Sequence, residues 1–245
     1  MKHLLYSLAA AALTTSCTVY APMQPVMPLV ESQGQVEVGA SVQPTGRLEA
    51  TAAYSPVQHV VVTGAGTLGL KVEPNNYLKT RQAELGLGTY WNLGPRWLLS
   101  TTGGVGAAFA DRRYQFIGVE QFSGNYRKVF GQVGLAHHFA DASTVGLTYR
   151  LARVQFDNIV DRPLNTVPAF SLLRHEASAF YRQEVGKGFG TWYMQGTMGL
   201  SISNLKAPSH TDTFDPVKDQ QWYSAGVPAP FVSLGVVWRL PQKSR

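Results

Sequence analysis

The residues best suited to chemistry are histidines that have carboxylates or a serine close by in the sequence. His210 is followed by Asp212 and Asp215, and Ser171 lies a short step before His175. An imidazole within hydrogen-bond reach of a carboxylate or a hydroxyl is the usual arrangement for general acid–base or nucleophilic catalysis. Asp and Ser are also frequent in loops, because their side chains stabilise turns. We therefore expect that the chain is not an enzyme.

Two further patterns suggest cofactor or metal binding, and neither has the required context. Gly64, Gly66 and Gly69 match the glycine fingerprint of dinucleotide-binding proteins, which needs a helix after the third glycine. Here the glycines lie inside a stretch with the pattern of one β-strand. His137 and His138 are adjacent, so on a strand their side chains point to opposite faces and cannot bind one metal together. We expect no cofactor and no metal ion.

A third set of residues is a row of charges that recurs through otherwise apolar or small-residue stretches. Guanidinium and carboxylate groups form strong bidentate pairs, and arginine is the cation best suited to pairing away from water. If all members point to the same side of a sheet, they predict an ion-paired network. The members are five acids and five arginines: Glu37, Arg47, Glu49, Glu84, Arg150, Arg174, Glu176, Arg182, Glu184 and Arg239.

The elements that carry these charges are ten stretches in which apolar and polar residues alternate. Successive side chains of a strand point to opposite faces, so each stretch has an apolar row and a polar row. In the stretch 192–203, for example, Trp192 and Met194 fall on one face, while Gln195 and Ser201 fall on the other. The pattern predicts an all-β fold whose sheet has one apolar face and one charged face.

The connections between the stretches alternate in length, except for the first, at residues 43–46. Short turns at one rim and long loops at the other are typical of outer-membrane barrels, which favour an even strand number. We predict an antiparallel, up-and-down, transmembrane β-barrel of about ten strands. The short connections are 55–58, 92–96, 140–143 and 186–190, and the long ones are 71–79, 111–127, 157–171 and 205–228.

The cost of placing charge against lipid decides which face points inward. A Lys or Arg on the lipid side at bilayer depth costs about 2 to 4 kcal/mol, so the charged row is predicted to line the lumen. Inside a narrow barrel these charges predict a salt-bridged plug rather than an open pore. A soluble barrel would usually carry many lysines along its polar row, and the mid-strand row was interpreted as containing none.

Aromatic residues give an independent indication of the membrane boundary, because Trp and Tyr favour the interface between lipid and water. A weaker second belt is predicted at the opposite strand ends from Phe109, Phe130, Phe156 and Phe170. The main girdle is predicted beside the short turns and consists of Tyr54, Trp91, Trp97, Phe139, Trp192 and Trp238.

The N-terminal segment has the form of a secretory signal. Its apolar stretch, 4–13, is too short to span a bilayer, and the only cysteine, Cys17, follows it. The residues before Cys17 resemble the lipobox of bacterial lipoproteins, in which the cysteine is acylated and becomes the mature N-terminus. Ser16 fits this pattern, while Thr14 stands where the family prefers Leu. Ordinary signal-peptidase cleavage near Ala21 is the alternative.

These observations divide the chain into a signal peptide at 1–16, a Pro-containing linker at 17–34, a barrel at 35–240 and a tail at 241–245. The linker is expected to let the acylated end reach the bilayer beside the barrel. The architecture resembles the small outer-membrane β-barrel proteins of Gram-negative bacteria, without any diagnostic motif. That resemblance implies an outer-membrane location, membrane lipid as a partner and an anchor at Cys17.

The function indicated is that of a non-enzymatic structural or surface-interaction protein. A contact with an extracellular ligand or a cell-envelope partner is expected through the long loops, best through 205–228 with Phe214, Trp222 and Tyr223. Two alternatives stay open: a narrow channel for small solutes, and a periplasmic lipocalin-like barrel that binds a hydrophobic ligand. A lipid-modifying or proteolytic barrel is less expected. The formal net charge of +6 is scattered, so nucleic acid is not an expected partner.

Overall fold

Twelve β-strands make up most of the chain that the computed structural model describes, namely residues 18–70, 76–115, 119–140, 142–162, 165–208 and 216–241. A short helix, α1, and a π-helical turn precede the last strand. The bounds are β1 Val36–Val42, β2 Arg47–Tyr54, β3 Val60–Gly69, β4 Tyr77–Asn92, β5 Trp97–Gln115, β6 Val119–His138, β7 Ser143–Phe156, β8 Ile159–Arg162, β9 Asn165–Val167, β10 Phe170–Gly188, β11 Gly190–Ser203, α1 Pro216–Gln221, the π-helical turn Trp222–Gly226 and β12 Ala229–Arg239.

Ten of the described strands close into one antiparallel barrel. Each barrel strand pairs with the next along the chain, and β12 returns to pair with β1, with Val38 opposite Trp238. The prediction of an all-β, up-and-down barrel of ten strands is therefore confirmed. The remaining two strands, β8 and β9, form a small hairpin beyond the barrel, where β8 pairs with β6 at Phe122 and Asp161.

The predicted loop at 111–127 is wrong, because pairing between β5 and β6 continues through most of it. Arg113 lies opposite Gln121, and the ladder extends as far as Gln115 and Val119. The segment is rich in polar residues, which suggested a loop, but polar side chains do not interrupt a strand. β5 and β6, with 19 and 20 residues, therefore extend as a hairpin at the long-loop end.

The two faces of the barrel have the opposite polarity to that of a water-soluble protein. Outward side chains are large and apolar, and Leu85, Leu87 and Leu147 are 68%, 62% and 61% exposed. Inward side chains are largely polar, and many charged ones are buried. Extended exposed apolar surface of this kind is typical of surfaces that bind another protein or a membrane. Among the described residues, no helix is long and apolar enough to cross a membrane.

The interior is filled by the chain that precedes β1. Every residue from 18 to 30 is buried except Val26, which is partly buried. We call residues 18–30 the plug segment. The sequence-based interpretation of this stretch as a linker beside the barrel is wrong, because these residues lie inside it. Their apolar side chains form two clusters with inward wall residues, one at the long-loop end around Tyr20 and one at the short-turn end around Leu29.

Close packing between neighbouring strands gives a direct test of this fold. A Cβ added at Gly104 would lie 2.4 Å from the carbonyl oxygen of Leu85 and 2.5 Å from the ring of Phe130, whereas at Gly103 the nearest atom is 3.8 Å away. We expect Gly104→Ala to lower the free energy of unfolding by about 1 to 3 kcal/mol, because overpacking forces the backbone to shift. Gly103→Ala should leave it nearly unchanged. Equilibrium unfolding in detergent micelles measures both, and equal effects would contradict the described packing.

Candidate functional site

The candidate site is the lumen, where the wall meets the plug segment. Pro22, Pro25 and Pro28 give this segment an extended backbone and remove three N–H donors, while every carbonyl remains an acceptor. A buried carbonyl without a partner costs free energy, so the wall must supply donors. The inward arginines and glutamines of the barrel are placed to do this.

Side chains from several strands donate to successive carbonyls of the plug segment. Nε2 of Gln82 donates to Ala21 at 2.8 Å, and Nε2 of Gln132 donates to Val26 at 2.8 Å. Further donors lie at both ends and near the middle: Arg112 to the carbonyl of Thr18 at 3.3 Å, Arg47 to that of Pro22, and Arg239 to that of Leu29 at 2.7 Å.

Inward carboxylates accept from the amide groups that remain. The N–H of Leu29 donates to Glu37 at 3.1 Å, and the N–H of Gln24 donates to Glu49 at 3.4 Å. The side-chain oxygen of Gln24 in turn accepts from Ser233 at 2.8 Å. The backbone of the plug segment is thus bound by side chains of β1, β2, β4, β5, β6 and β12.

Glu84 holds the first charged group on the wall. Its carboxylate accepts from Arg150 at 3.0 Å and forms an ion pair with Lys128. Arg150 also donates to Gln132 at 2.8 Å, and its guanidinium lies 4.3 Å from the centre of the Phe130 ring. The side chains of all three charged residues are at most 3% exposed. Lys128 was missed in the sequence, where the polar row was interpreted as lacking lysine.

Tyr20 of the plug segment connects to the second group. Its hydroxyl donates to Glu176 at 2.8 Å, and its ring lies 4.5 Å from the guanidinium of Arg174. No carboxylate lies within ion-pair distance of Arg174 in the described part of the chain. It donates instead to the oxygens of Ser201 and to the carbonyl of Ala225 at 2.7 Å. This arginine fixes the loop before β12 over the barrel mouth.

Glu37 holds the third group, near the short-turn end. It accepts from Arg182 at 3.0 Å and from Arg239 at 2.8 Å. Of the ten charges assigned to the lumen in the sequence, the structure buries eight and half-buries Arg239. Glu184 lies at the rim, where it pairs with the exposed Lys187 at 3.2 Å. The ion pairs line the lumen, but the space between them is occupied by peptide.

The long-loop mouth is closed by the π-helical turn that precedes β12. Ser224, Ala225 and Gly226 are buried there, and the carbonyl of Ser224 accepts from the N–H of Val19 at 2.7 Å and from the hydroxyl of Thr18 at 3.1 Å. Part of the loop predicted as a contact surface therefore lies inside the mouth. Tyr223 is exposed, while Phe214 lies outside the described residues.

At the short-turn end the plug segment leaves the lumen and turns into β1. Oε1 of Glu31 lies 3.1 Å from Nε2 of His138, and the Glu31 carbonyl accepts from Asn92 at 3.2 Å. The hydrogen bond from His138 lowers the pKa of Glu31 below its ordinary value. The contact therefore stabilises the fold above the ordinary carboxyl pKa and is lost as the pH falls through the lowered one.

The aromatic residues divide between the two faces of the wall. Phe130 and Phe156, assigned to a second outer belt, point inward and pack in the cluster around Tyr20. The mistake follows from assuming a wholly polar lumen. The six residues assigned to the main girdle lie on the outward face near the short turns, and Trp192 stacks on Trp238 with ring centroids 5.5 Å apart.

The structure does not bring the candidate catalytic residues together where it describes them. Ser171 and His175 lie on one outward face of β10, four residues apart, which is about 13 Å along a strand. Nδ1 of His175 instead lies 2.6 Å from the hydroxyl of Tyr149. His210, Asp212 and Asp215 lie outside the described residues.

The described lumen also offers little room for a ligand. The described residues contain no cluster of three or more metal-ligating side chains. Cavities between the plug segment and the wall are about 20 Å³ and about 10 Å³, room for about one water each. Gly64, Gly66 and Gly69 lie within β3, as the strand pattern predicts.

Comparison with known proteins identifies no family for this chain. No family model and no curated protein matches the chain. Ten chains of solved structures match, among them one described as a bacterial polysaccharide outer membrane secretin. The alignment covers 86% of this chain and 100% of that one, at 10% identity and a TM-score of 0.26. No residue role is transferred from a likeness of this level.

The contrast between Glu84 and Glu184 tests the charge arrangement. Glu84→Gln leaves two buried cations without their carboxylate, so we expect a loss of about 3 to 5 kcal/mol in the free energy of unfolding. Glu184→Gln removes a pair at the rim whose carboxylate is half-buried but whose lysine is 75% exposed, and the change should stay within about 1 kcal/mol. Chemical denaturation of both variants in detergent measures the difference. A similar, small effect of both substitutions would contradict the buried network.

Proposed function

We propose that the protein is an outer-membrane β-barrel lipoprotein that does not conduct solutes and has no enzymatic activity. It acts as a rigid membrane-anchored platform for contacts at the long-loop end. The observation that carries the proposal is the plug segment, which fills the lumen of a barrel whose exterior is apolar. A filled lumen leaves the rims and the outer wall as the surfaces available to partners.

The dimensions of the outer face support membrane insertion. On β4 the outward row runs from Arg81, through Leu85 and Leu87, to Trp91 of the girdle. Ten residues of a strand tilted by about 40° rise about 25 Å along the barrel axis, which is the height of the apolar band of outer-membrane barrels. A charged residue at one edge and an aromatic ring at the other bound this band.

The path of the plug segment determines where an anchor would emerge. Thr18 lies at the long-loop mouth, and the segment reaches the short-turn end at Leu29 before β1 begins. Long loops of such barrels face outward from the cell. Because residue 17 is bonded to Thr18, an acylated Cys17 would leave the barrel on the same side as the long loops. The proposal thus places the lipid in the outer leaflet, and not on the periplasmic side.

The narrow channel and the lipocalin-like binder are the weaker alternatives. A channel needs a continuous aqueous path, whereas the plug segment is buried along the lumen and the cavities beside it are about 10 to 20 Å³. A lipocalin-like protein keeps its apolar row inside around a ligand, whereas this barrel turns that row outward.

Membrane insertion can be separated from lipid anchoring by replacing the cysteine. We expect Cys17→Ala, expressed with a cleavable signal, to stay in the outer-membrane fraction after carbonate washing and to shift mobility on heating. The reason is that the apolar exterior, and not only the acyl chain, contacts lipid. A soluble, periplasmic Cys17→Ala protein would contradict the proposal and support the lipocalin-like alternative.

Because the lumen is closed, we expect the protein to show no ionic conductance. Wild-type protein in planar bilayers should give no steady current, because the plug segment blocks the path along the axis. Arg174→Ala loosens the loop over the mouth but leaves the plug segment in place, so the current should stay negligible. A steady wild-type current, raised by Arg174→Ala, would replace the proposal with the channel.

A further inference from the structure

The outer wall carries its charge on one side only. The outward faces of β1, β2, β3, β11 and β12 have no charged side chain. Those of β4 to β7 carry a group near their long-loop ends, which consists of Lys79, Arg81, Arg113, Arg127, Arg153 and the single acid Asp111. Insertion of the barrel into a membrane does not require a positive belt on four of its ten strands. The belt therefore points to a negatively charged partner.

Three of these arginines differ from the arginines of the lumen. Arg81, Arg127 and Arg153 are exposed and make no hydrogen bond or ion pair in the described part of the chain. The interior arginines, by contrast, are held by carboxylates or carbonyl oxygens. Unpaired guanidinium groups at the edge of an apolar band are free to bind an anion at headgroup level.

Arg81 and Arg127 line one depression in the outer wall, whose lining also includes one acid, Asp157, so that its charged side chains carry a net positive charge. The register explains its shape, because Ala83 lies opposite Ala107 and Ala107 lies opposite Arg127. Ala83 on β4 and Ala107 on β5 have small side chains, so the surface is depressed between Arg81 and Arg127. Phe109, opposite Arg81, closes the depression on the side of the long loops.

An apolar row lies directly below this depression. Leu85, Val105 and Val129 are opposite one another on β4, β5 and β6, two residues closer to the short turns than Ala83, Ala107 and Arg127. They are 68%, 56% and 61% exposed. Arg153 lies opposite Val129 and diagonal to Arg127, so it borders the same surface.

We propose that this depression binds the headgroup of a phosphorylated glycolipid of the outer leaflet, with its acyl chains along the apolar row. Guanidinium groups bind phosphate oxygens through two hydrogen bonds at once, and two or three of them suit a lipid with more than one phosphate. The inference rests on the proposed membrane insertion and on the long loops facing outward. It adds a specific lipid partner to that function.

The test is a titration of the purified full-length protein in uncharged detergent, followed by native mass spectrometry. The probes are bisphosphorylated lipid A, the same lipid without phosphate, and phosphatidylglycerol. The test variant is Arg81→Gln with Arg127→Gln. The matched control is Arg96→Gln with Lys187→Gln, which removes two exposed positive charges at the short-turn rim.

We expect the wild type and the control to bind bisphosphorylated lipid A at least about tenfold more tightly than the test variant, because charge-assisted hydrogen bonds are lost. Arg81→Lys with Arg127→Lys should bind with intermediate affinity, since the charge remains but the bidentate geometry is lost. Equal binding by the test variant and the wild type, or by the lipid without phosphate, would overturn the site.

Two other outcomes have distinct meanings. Equally tight binding of phosphatidylglycerol, lost in the same variant, would overturn the assignment to a glycolipid, because any lipid phosphate would then suffice. A protein that fractionates as soluble fails the proposed function itself, independently of any lipid titration. An integral barrel without phosphate preference refutes the lipid site alone.

Discussion

An extended, proline-containing peptide buried inside a barrel must have its backbone polar groups satisfied by something other than itself. The plug segment forms no secondary structure among the described residues, so most of its hydrogen-bonded carbonyls and amides depend on wall side chains. The arginines, glutamines and glutamates of the inward row meet this requirement. These residue types are explained by the peptide backbone that they bind more than by the ion pairs that they form with one another.

The need to satisfy the buried backbone of the plug segment explains why a buried carboxylate such as Glu37 accepts from several donors. Glu37 accepts from two arginines and from the N–H of Leu29, and Arg239 donates both to Glu37 and to the carbonyl of Leu29. Removing one member leaves others buried without partners, which is costlier than losing an exposed pair. Barrel wall and plug segment therefore specify each other, and the lumen has one well-defined arrangement.

Much of the fold follows from a two-residue period, which is a local property of the sequence. The ten barrel strands, the polarity of the two faces and the burial of eight of the ten assigned charges all derive from it. The position of residues 18–30 inside the barrel does not follow from this period. Val19, Met23 and Met27 have no period that distinguishes a buried peptide from a linker, and only the closed barrel offers them an apolar partner.

The errors at particular residues have the same origin. Phe130 and Phe156 were assigned to an outer aromatic belt because they lie near strand ends. Lys128 was overlooked on the inward row of β6. Each lies on an inward position of β6 or β7, so strict parity along those strands would have placed them correctly. The alternation of faces does not show which segment fills the lumen. That contact is long-range, because Tyr20 is 156 residues away from Glu176 in the chain.

The most direct measurement of the central claim is a chemical cross-link between the plug segment and the wall. Gln24 and Ser233 are hydrogen-bonded at 2.8 Å although they are 209 residues apart in the chain. With Cys17→Ala as background, Gln24→Cys with Ser233→Cys should be joined by a short bifunctional thiol reagent that spans the length of the lost glutamine side chain, and the cross-link should shift the denatured band on a gel. Gln24→Cys with the outward Leu234→Cys should not be joined. No cross-link in the first variant, or equal cross-linking in both, would contradict a plug segment inside the barrel.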